Sequence, residues 1–338
     1  MRRLLLLAVL AAVSSPARSE PVRFVAFADM PYCRPETPER CPAEEGGVAR
    51  LMGAINAARP AFSMFLGDTK GGSELCTDEK VLRALSWMSL ANHPLVYSPG
   101  DNEWTDCWQD RGGRYDPLER LALVRQRFFP APESLGRRPM PLVRQAAPTI
   151  ENARWMRDGV LFVTLHVPGS NNSRPADPGE PAADTLPRGE AAMAEFIARD
   201  AANRAWLAES FAAAPDAKAA VIGMQADMFI RQICGKGYDS GYRAMREAIG
   251  SAAAAFGKPV LLINGDTHIF AQQDPLEAVP NLTRLIVPGE TDVQAVVVTL
   301  DPAAAKPFRF EVIGEAGGAP QRPPCPDYTS SMRSTRVE

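Results

Sequence analysis

The chain has 338 residues, 46% of them hydrophobic, with 37 Lys and Arg against 40 Asp and Glu. That much apolar material can bury a large core without a metal or disulfide to hold it. The slightly negative balance and scattered basic residues exclude the electrostatic footprint of a nucleic-acid binder, leaving small anionic substrates if a local cation site exists. No interior stretch combines linker composition with a change of character, which predicts one large domain over residues 20–314 between a leader, 1–19, and a proline-rich tail, 315–338.

Met1-Arg2-Arg3 followed by the apolar run Leu4 to Val13 and by Ala17-Arg18-Ser19 reads as a secretory signal peptide with its cleavage site. The run is well short of the ~20 residues that cross a bilayer, so it predicts no membrane anchor and a secreted or periplasmic monomer. Cys33, Cys41, Cys76, Cys107, Cys234 and Cys325 would then mature in an oxidising compartment. Six cysteines allow 15 pairings; proximity favours Cys33 with Cys41 and Cys76 with Cys107, leaving Cys234 for Cys325. No CxxC pair supports a thiolate zinc site.

From Val22 onward short β-rich runs alternate with helical spacing, the pattern of an α/β protein. Strands are expected at Val22 to Ala28, Phe62 to Leu66, Pro94 to Tyr97, Gly159 to Leu165, Ala219 to Met224 and Pro259 to Ile263, with closing strands at Leu285 to Val287, Val293 to Leu300 and Pro307 to Ile313. Helices are expected at Val48 to Arg59, Glu79 to Leu90, Arg188 to Ala213 and Gly241 to Phe256. Pro130 to Pro148 and Pro175 to Pro187 read as long surface loops.

Five of these strands run directly into polar, potentially ligating residues: Asp29, Gly67-Asp68, Gly100-Asp101-Asn102-Glu103, Gln225 and Gly265-Asp266-Thr267-His268. One such end is usually a turn, but open α/β sheets gather ligands at the carboxyl ends of their strands. The order of these motifs resembles that of the calcineurin-like metallophosphoesterases, which carry Asp-x-His, Gly-Asp, Gly-Asn-His-Asp/Glu, a lone His and Gly-His-x-His after successive strands. The resemblance spans Val22 to Leu300 and implies a four-layer α-β-β-α sandwich holding two divalent metal ions. It also implies hydrolysis of a phosphate mono- or diester by a metal-activated water.

Carried over residue by residue, the resemblance makes Asp29, Asp68, Asp101, Gln225, Asp266 and His268 metal ligands, with Asp68 bridging. Pro31, Asp101, Gln225 and Asp266 stand where the family has His, Asn, His and His, and Asn102 stands at its catalytic histidine. Two of the departures are Asp and two are amides, all oxygen donors. Such donors favour harder ions such as Mg²⁺, Mn²⁺ or Ca²⁺ over zinc or copper. Four carboxylates also balance two divalent cations. The competing reading is a non-catalytic binding protein of the same fold with one structural ion.

His166 closes a strand, and its ordinary pKa makes it the expected substitute for the missing acid. Lys70, Glu103, Asn171 and Asn172 are expected to contact substrate, with Tyr32, Trp104 and Asp106 beside them. His93 begins a strand at the far end and reads as structural. There is no Gly-x-Ser-x-Gly elbow and no Walker-type loop.

Overall fold

The computed structural model describes residues 20–33, 38–181, 189–290 and 292–315. Its strands form two sheets. The first, in the order β12 (Phe308–Glu315), β11 (Val293–Leu300), β1 (Val22–Phe27), β2 (Ser63–Leu66), β3 (Leu95–Ser98), has β1, β2 and β3 parallel and β11 and β12 antiparallel. The second runs β4 (Val143–Arg144), β5 (Ala153–Arg157), β6 (Val160–Thr164), β7 (Ala219–Gly223), β8 (Val260–Asn264), β10 (Leu282–Ile286), β9 (Ala271–Gln273). In it β6, β7, β8 and β10 are parallel.

Side chains alternate across a strand, and here both faces are apolar, which fixes the layers. Phe24 and Ala26 of β1 point to one cluster with Met64, Leu66, Phe162, Val221, Leu261, Ile263 and Val296, drawn from both sheets. Val25 and Phe27 point the other way, onto Val48, Leu51 and Ile55 of the helix Cys41–Ala58. On the far side Ala220, Ile222 and Leu262 meet Trp206 and Leu207 of the helix Gly189–Ala212 and Ile249 of the helix Arg243–Phe256. The result is helix, sheet, sheet, helix, the expected four-layer sandwich. Phe162 sits at the inter-sheet centre, its ring 5.3 Å from Phe24 and 4.8 Å from Phe62. Truncating it to alanine would cost about 3–5 kcal/mol.

The structure departs from several expectations. The first helix begins at Cys41, before Val48, because Pro42 suits the first turn and Gly47, which lowers helix propensity, packs its bare Cα toward Val293. The Glu79 to Leu90 helix is two short ones, Asp78–Leu82 and Ala84–Met88, meeting at Arg83. The strand expected at Leu285 to Val287 starts at Leu282, since the polar-looking Arg284 is buried against Asp227. Part of the Pro130 to Pro148 segment is not free loop: Leu135 exchanges backbone bonds of 2.9 and 2.8 Å with Leu95, and Val143–Arg144 forms β4. A helix not expected, Pro117–Phe128, is capped by Asp116, which accepts from the N–H groups of Leu118 and Glu119.

Cys33 is bonded to Cys41 and Cys76 to Cys107. The Cys325 half of the third expected pair lies outside the described residues, as do the leader and residues 316–338. Among the described residues no helix is long and apolar enough to cross a membrane.

Candidate metal centre

Because β1, β2 and β3 are parallel in one sheet and β6, β7 and β8 in the other, each sheet presents three carboxyl ends at one edge. The two edges meet. A Cβ on Gly67, whose φ is +86°, would lie 2.6 Å from the Gln225 side chain across the sheets, and one on Gly265 would lie 2.2 Å from Asp29 Oδ2. Only glycine permits that approach. Asp29, Asp68, Asp266 and His268 all have left-handed φ, between 58° and 70°. Each such residue costs of order 1–3 kcal/mol unless its surroundings impose it, and such strain collects at functional sites.

Asp68 lies at the centre. Its Oδ2 accepts from Tyr32 Oη at 2.6 Å, Asn102 Nδ2 at 2.8 Å and Gln225 Nε2 at 3.2 Å, and its Oδ1 accepts from the Asn102 backbone N–H at 3.1 Å. Both oxygens of Asp29 accept from the Asp266 N–H, and His268 Nε2 lies 3.5 Å from Asp29 Oδ1 and 3.3 Å from Tyr32 Oη. Glu290 faces the other ring nitrogen, Nδ1, at 3.2 Å. Asp266 accepts from the Asp227 N–H, and Asp227 is itself held by Arg284 and Thr267. Ser170 Oγ bridges Asp101 and Asp106, at 2.9 and 2.7 Å.

Charge is concentrated here. Burial raises the Asp68 carboxyl well above its ordinary value, and the charges of Asp101, Asp29 and Glu103 add to this. Burial and then Asp101 do the same to Asp266, while Asp101 is raised by burial against the opposing Ser170 hydrogen bond. Burial alone would lower His268, but Asp29 and Glu290 outweigh it and hold the imidazole at about 10. Among the described residues, the only cationic side chain within 4.0 Å of the four aspartates is that imidazole.

A cation fits this arrangement. Ligand atoms of Asp29, Asp68 and His268 lie within 4.8 Å of one another, a donor set for one divalent ion. Asp101 Oδ1 is buried without a hydrogen-bond partner, an orphan acceptor of the kind an ion satisfies. The other candidate cluster, Cys33, Cys41 and Glu45, has its two thiols consumed by the disulfide.

Asp29, Asp68, Asp101, Asn102, Gln225, Asp266 and His268 are thus brought to one edge, but Gln225 does not offer oxygen there. The Gly169 N–H lies 2.5 Å from Oε1, and since only oxygen can accept it the amide nitrogen must face Asp68. Gln225, expected as a ligand, is here a hydrogen-bond donor to Asp68. Glu103 is turned away, accepting from Tyr97 Oη at 2.5 Å and the Gly100 N–H at 2.9 Å, so it pins its own loop.

His166 is also set apart. Its Nδ1 meets Glu151 Oε1 at 2.6 Å, Arg125 meets the same oxygen at 2.7 Å, and the ring packs on Trp104. It is wholly buried, and burial lowers its pKa. Lys70, expected to contact substrate, is buried with Nζ on the carbonyls of Gly71 and Glu74, and burial brings it down to about 8. Asn171 is spent on Gly241, Ser240 and Arg174, and Asn172 on Gly241 and Arg199. His93 is structural, bonded to Ser63 Oγ at 2.9 Å.

Sequence reasoning passed over Ser170, Glu290, Asp227 and Arg199. Glu290 had a signal, since Pro288-Gly289-Glu290 follows closely on a strand, as Gly67-Asp68 does. The others had none: Ser170, Asn171, Asn172 and Ser173 form a turn with φ of 47°, 58°, 56° and 59°, four successive left-handed residues without a glycine. L-residues adopt that conformation at a cost of roughly 1–2 kcal/mol each.

No protein-family model and no curated protein matches the chain. Similar solved structures include a dimetal phosphatase from Danio rerio, with 10% identity and a TM-score of 0.48 over 87% of this chain and 99% of that one. A purple acid phosphatase from yellow lupin gives 10% and 0.47 over 89% and 55%. A putative 5'-nucleotidase from Staphylococcus aureus gives 11% and 0.45 over 88% and 54%. At these identities and TM-scores the likeness assigns no residue a role. The order of motifs along the chain and the two-sheet architecture agree on one resemblance, to the calcineurin-like metallophosphoesterases.

Proposed function

We propose that this protein hydrolyses phosphate mono- or diesters outside the cytoplasm at a carboxylate-rich, dinuclear metal centre. The observation that carries the reading is the cluster of four buried aspartates, none of which has a Lys or Arg within 4.0 Å among the described residues, Lys70 acting on Asp68 only from farther away. Asp29, Asp68 and His268 would hold one ion, and Asp68, Asp101 and Asp266 the second. Divalent ions held by these residues would supply an acidified water and charge stabilisation for phosphoester hydrolysis.

The chain's own residues do the rest. Tyr32, Asn102 and Gln225 fix Asp68 through three donors on one oxygen. Glu290, on Nδ1 of His268, leaves Nε2 for the centre, the arrangement that orients ligating imidazoles. Asn102, whose amide donates to Tyr32 and Asp68, has no proton to transfer, so substrates with acidic leaving groups are favoured.

The test is elemental analysis of protein purified without chelator, followed by hydrolysis of a nitrophenyl phosphate before and after EDTA. About two equivalents of metal and EDTA-sensitive turnover are expected. One equivalent of Ca²⁺ without turnover would establish the binding-protein reading in its place.

A further inference from the structure

The left-handed turn at Ser170–Ser173 lies against the metal centre yet is fastened from outside it. We propose that Arg199 is a positioning residue for the centre, acting through this turn; the inference rests on the metal-centre reading above. Arg199 belongs to the outer helix Gly189–Ala212 and is 1% exposed. Its Nη1 donates to the carbonyl of His166 at 3.1 Å and to Asn172 Oδ1, its Nη2 to the Asn172 carbonyl at 2.8 Å, and Nε and Nη2 to Glu195. All five guanidinium N–H groups are used. None reaches an aspartate of the cluster.

What Arg199 holds does reach them. At one end of the turn the Gly169 N–H fixes the Gln225 amide, whose Nε2 donates to Asp68. The next residue, Ser170, places its hydroxyl on Asp101. There is no slack between turn and ligand, since a Cβ at Gly169 would lie 2.8 Å from the Asp101 carboxyl. A run of four left-handed L-residues persists only where its surroundings over-determine it. Here the guanidinium binds both the backbone and the side chain of Asn172, the third of the run counted from Ser170 to Ser173. Relaxing the turn toward ordinary φ would swing Ser170 off Asp101 and free the Gln225 amide, loosening two metal ligands at once.

Lysine has three donors on one nitrogen and cannot reproduce the fork. Substitution of groups that orient metal ligands typically costs 10–100-fold in affinity. Calorimetric Mn²⁺ titration of the wild type, Arg199→Lys, Ser170→Ala and the double variant tests the proposal. Ile249→Val, a core change on the buried face of the helix Arg243–Phe256, controls for general destabilisation. Arg199→Lys and Ser170→Ala are each expected to weaken Mn²⁺ binding about tenfold or more, the double variant no further than Arg199→Lys alone, and Ile249→Val not at all.

Wild-type affinity in Arg199→Lys, or fully additive losses in the double variant, overturns the proposal. Should Arg199→Lys fail to fold, Ser170→Ala decides: unchanged affinity there overturns the route through the turn. A wild type that takes up no Mn²⁺ overturns the metal reading itself and this inference with it, an outcome distinct from the others.

Discussion

Asp68→Asn tests the centre most directly, because the charge and the hydrogen bonding of Asp68 act in opposite directions. Oδ2 accepts three donors and Oδ1 a fourth. An amide keeps one acceptor oxygen, so in either orientation an N–H group faces another donor, which costs about 1–3 kcal/mol. Against this, a charge whose ionisation burial, Asp101 and Asp29 all oppose is removed. The metal-free variant should therefore unfold close to the metal-free wild type. With metal the two part. At a free ion concentration of 100 Kd, binding contributes about 2.7 kcal/mol, and at roughly 2–4 °C per kcal/mol for a large domain the wild type should gain about 5–10 °C in Tm. The variant should gain nothing and have no turnover. Scanning calorimetry with and without Mn²⁺, alongside metal analysis, measures both. A folded Asp68→Asn protein with the wild-type metal-induced shift and metal content would refute the assignment.

His166→Ala should lower stability and reduce hydrolysis of alkyl and nitrophenyl phosphates alike, since the imidazole is bonded to Glu151 behind the centre; a loss of about 10²–10⁴-fold on the alkyl ester alone would restore it as general acid. Burial alone would raise Glu151, but His166 and Arg125 outweigh it and bring the carboxyl from 4.5 to about 2, a stabilisation of about 3 kcal/mol at 1.36 kcal/mol per pKa unit. A depressed carboxyl contributes above its unfolded pKa, so this part of the stability should disappear as pH falls from 4.5 toward 2, and Glu151→Gln should flatten that limb of an acid-unfolding curve; an unchanged limb would contradict the ion pairing. Replacing Cys76 and Cys107, 31 residues apart, with serine should cost about 2–4 kcal/mol in denaturant unfolding. Non-reducing mass mapping should recover neither cysteine as a thiol.

Much of this protein is written locally. Strands such as β1, β7 and β8 are short apolar runs closed by glycine or acid, and a run that must bury both faces shows itself in the sequence. Their carboxyl-end residues were therefore visible before any tertiary contact, as were the two short-range disulfides. Orientation was not. Whether Gln225 offers its oxygen or its nitrogen is decided by the N–H of Gly169, 56 residues away, and whether His166 can reach a substrate is decided by Glu151 on the preceding segment. Arg284 reads as polar surface until Asp227 neutralises it in the interior. Residue type and spacing determine which groups arrive at the edge of the sheets, because strand periodicity is a property of the local chain. The partner each group meets there depends on contacts between distant segments, and those exist only once the two sheets have packed.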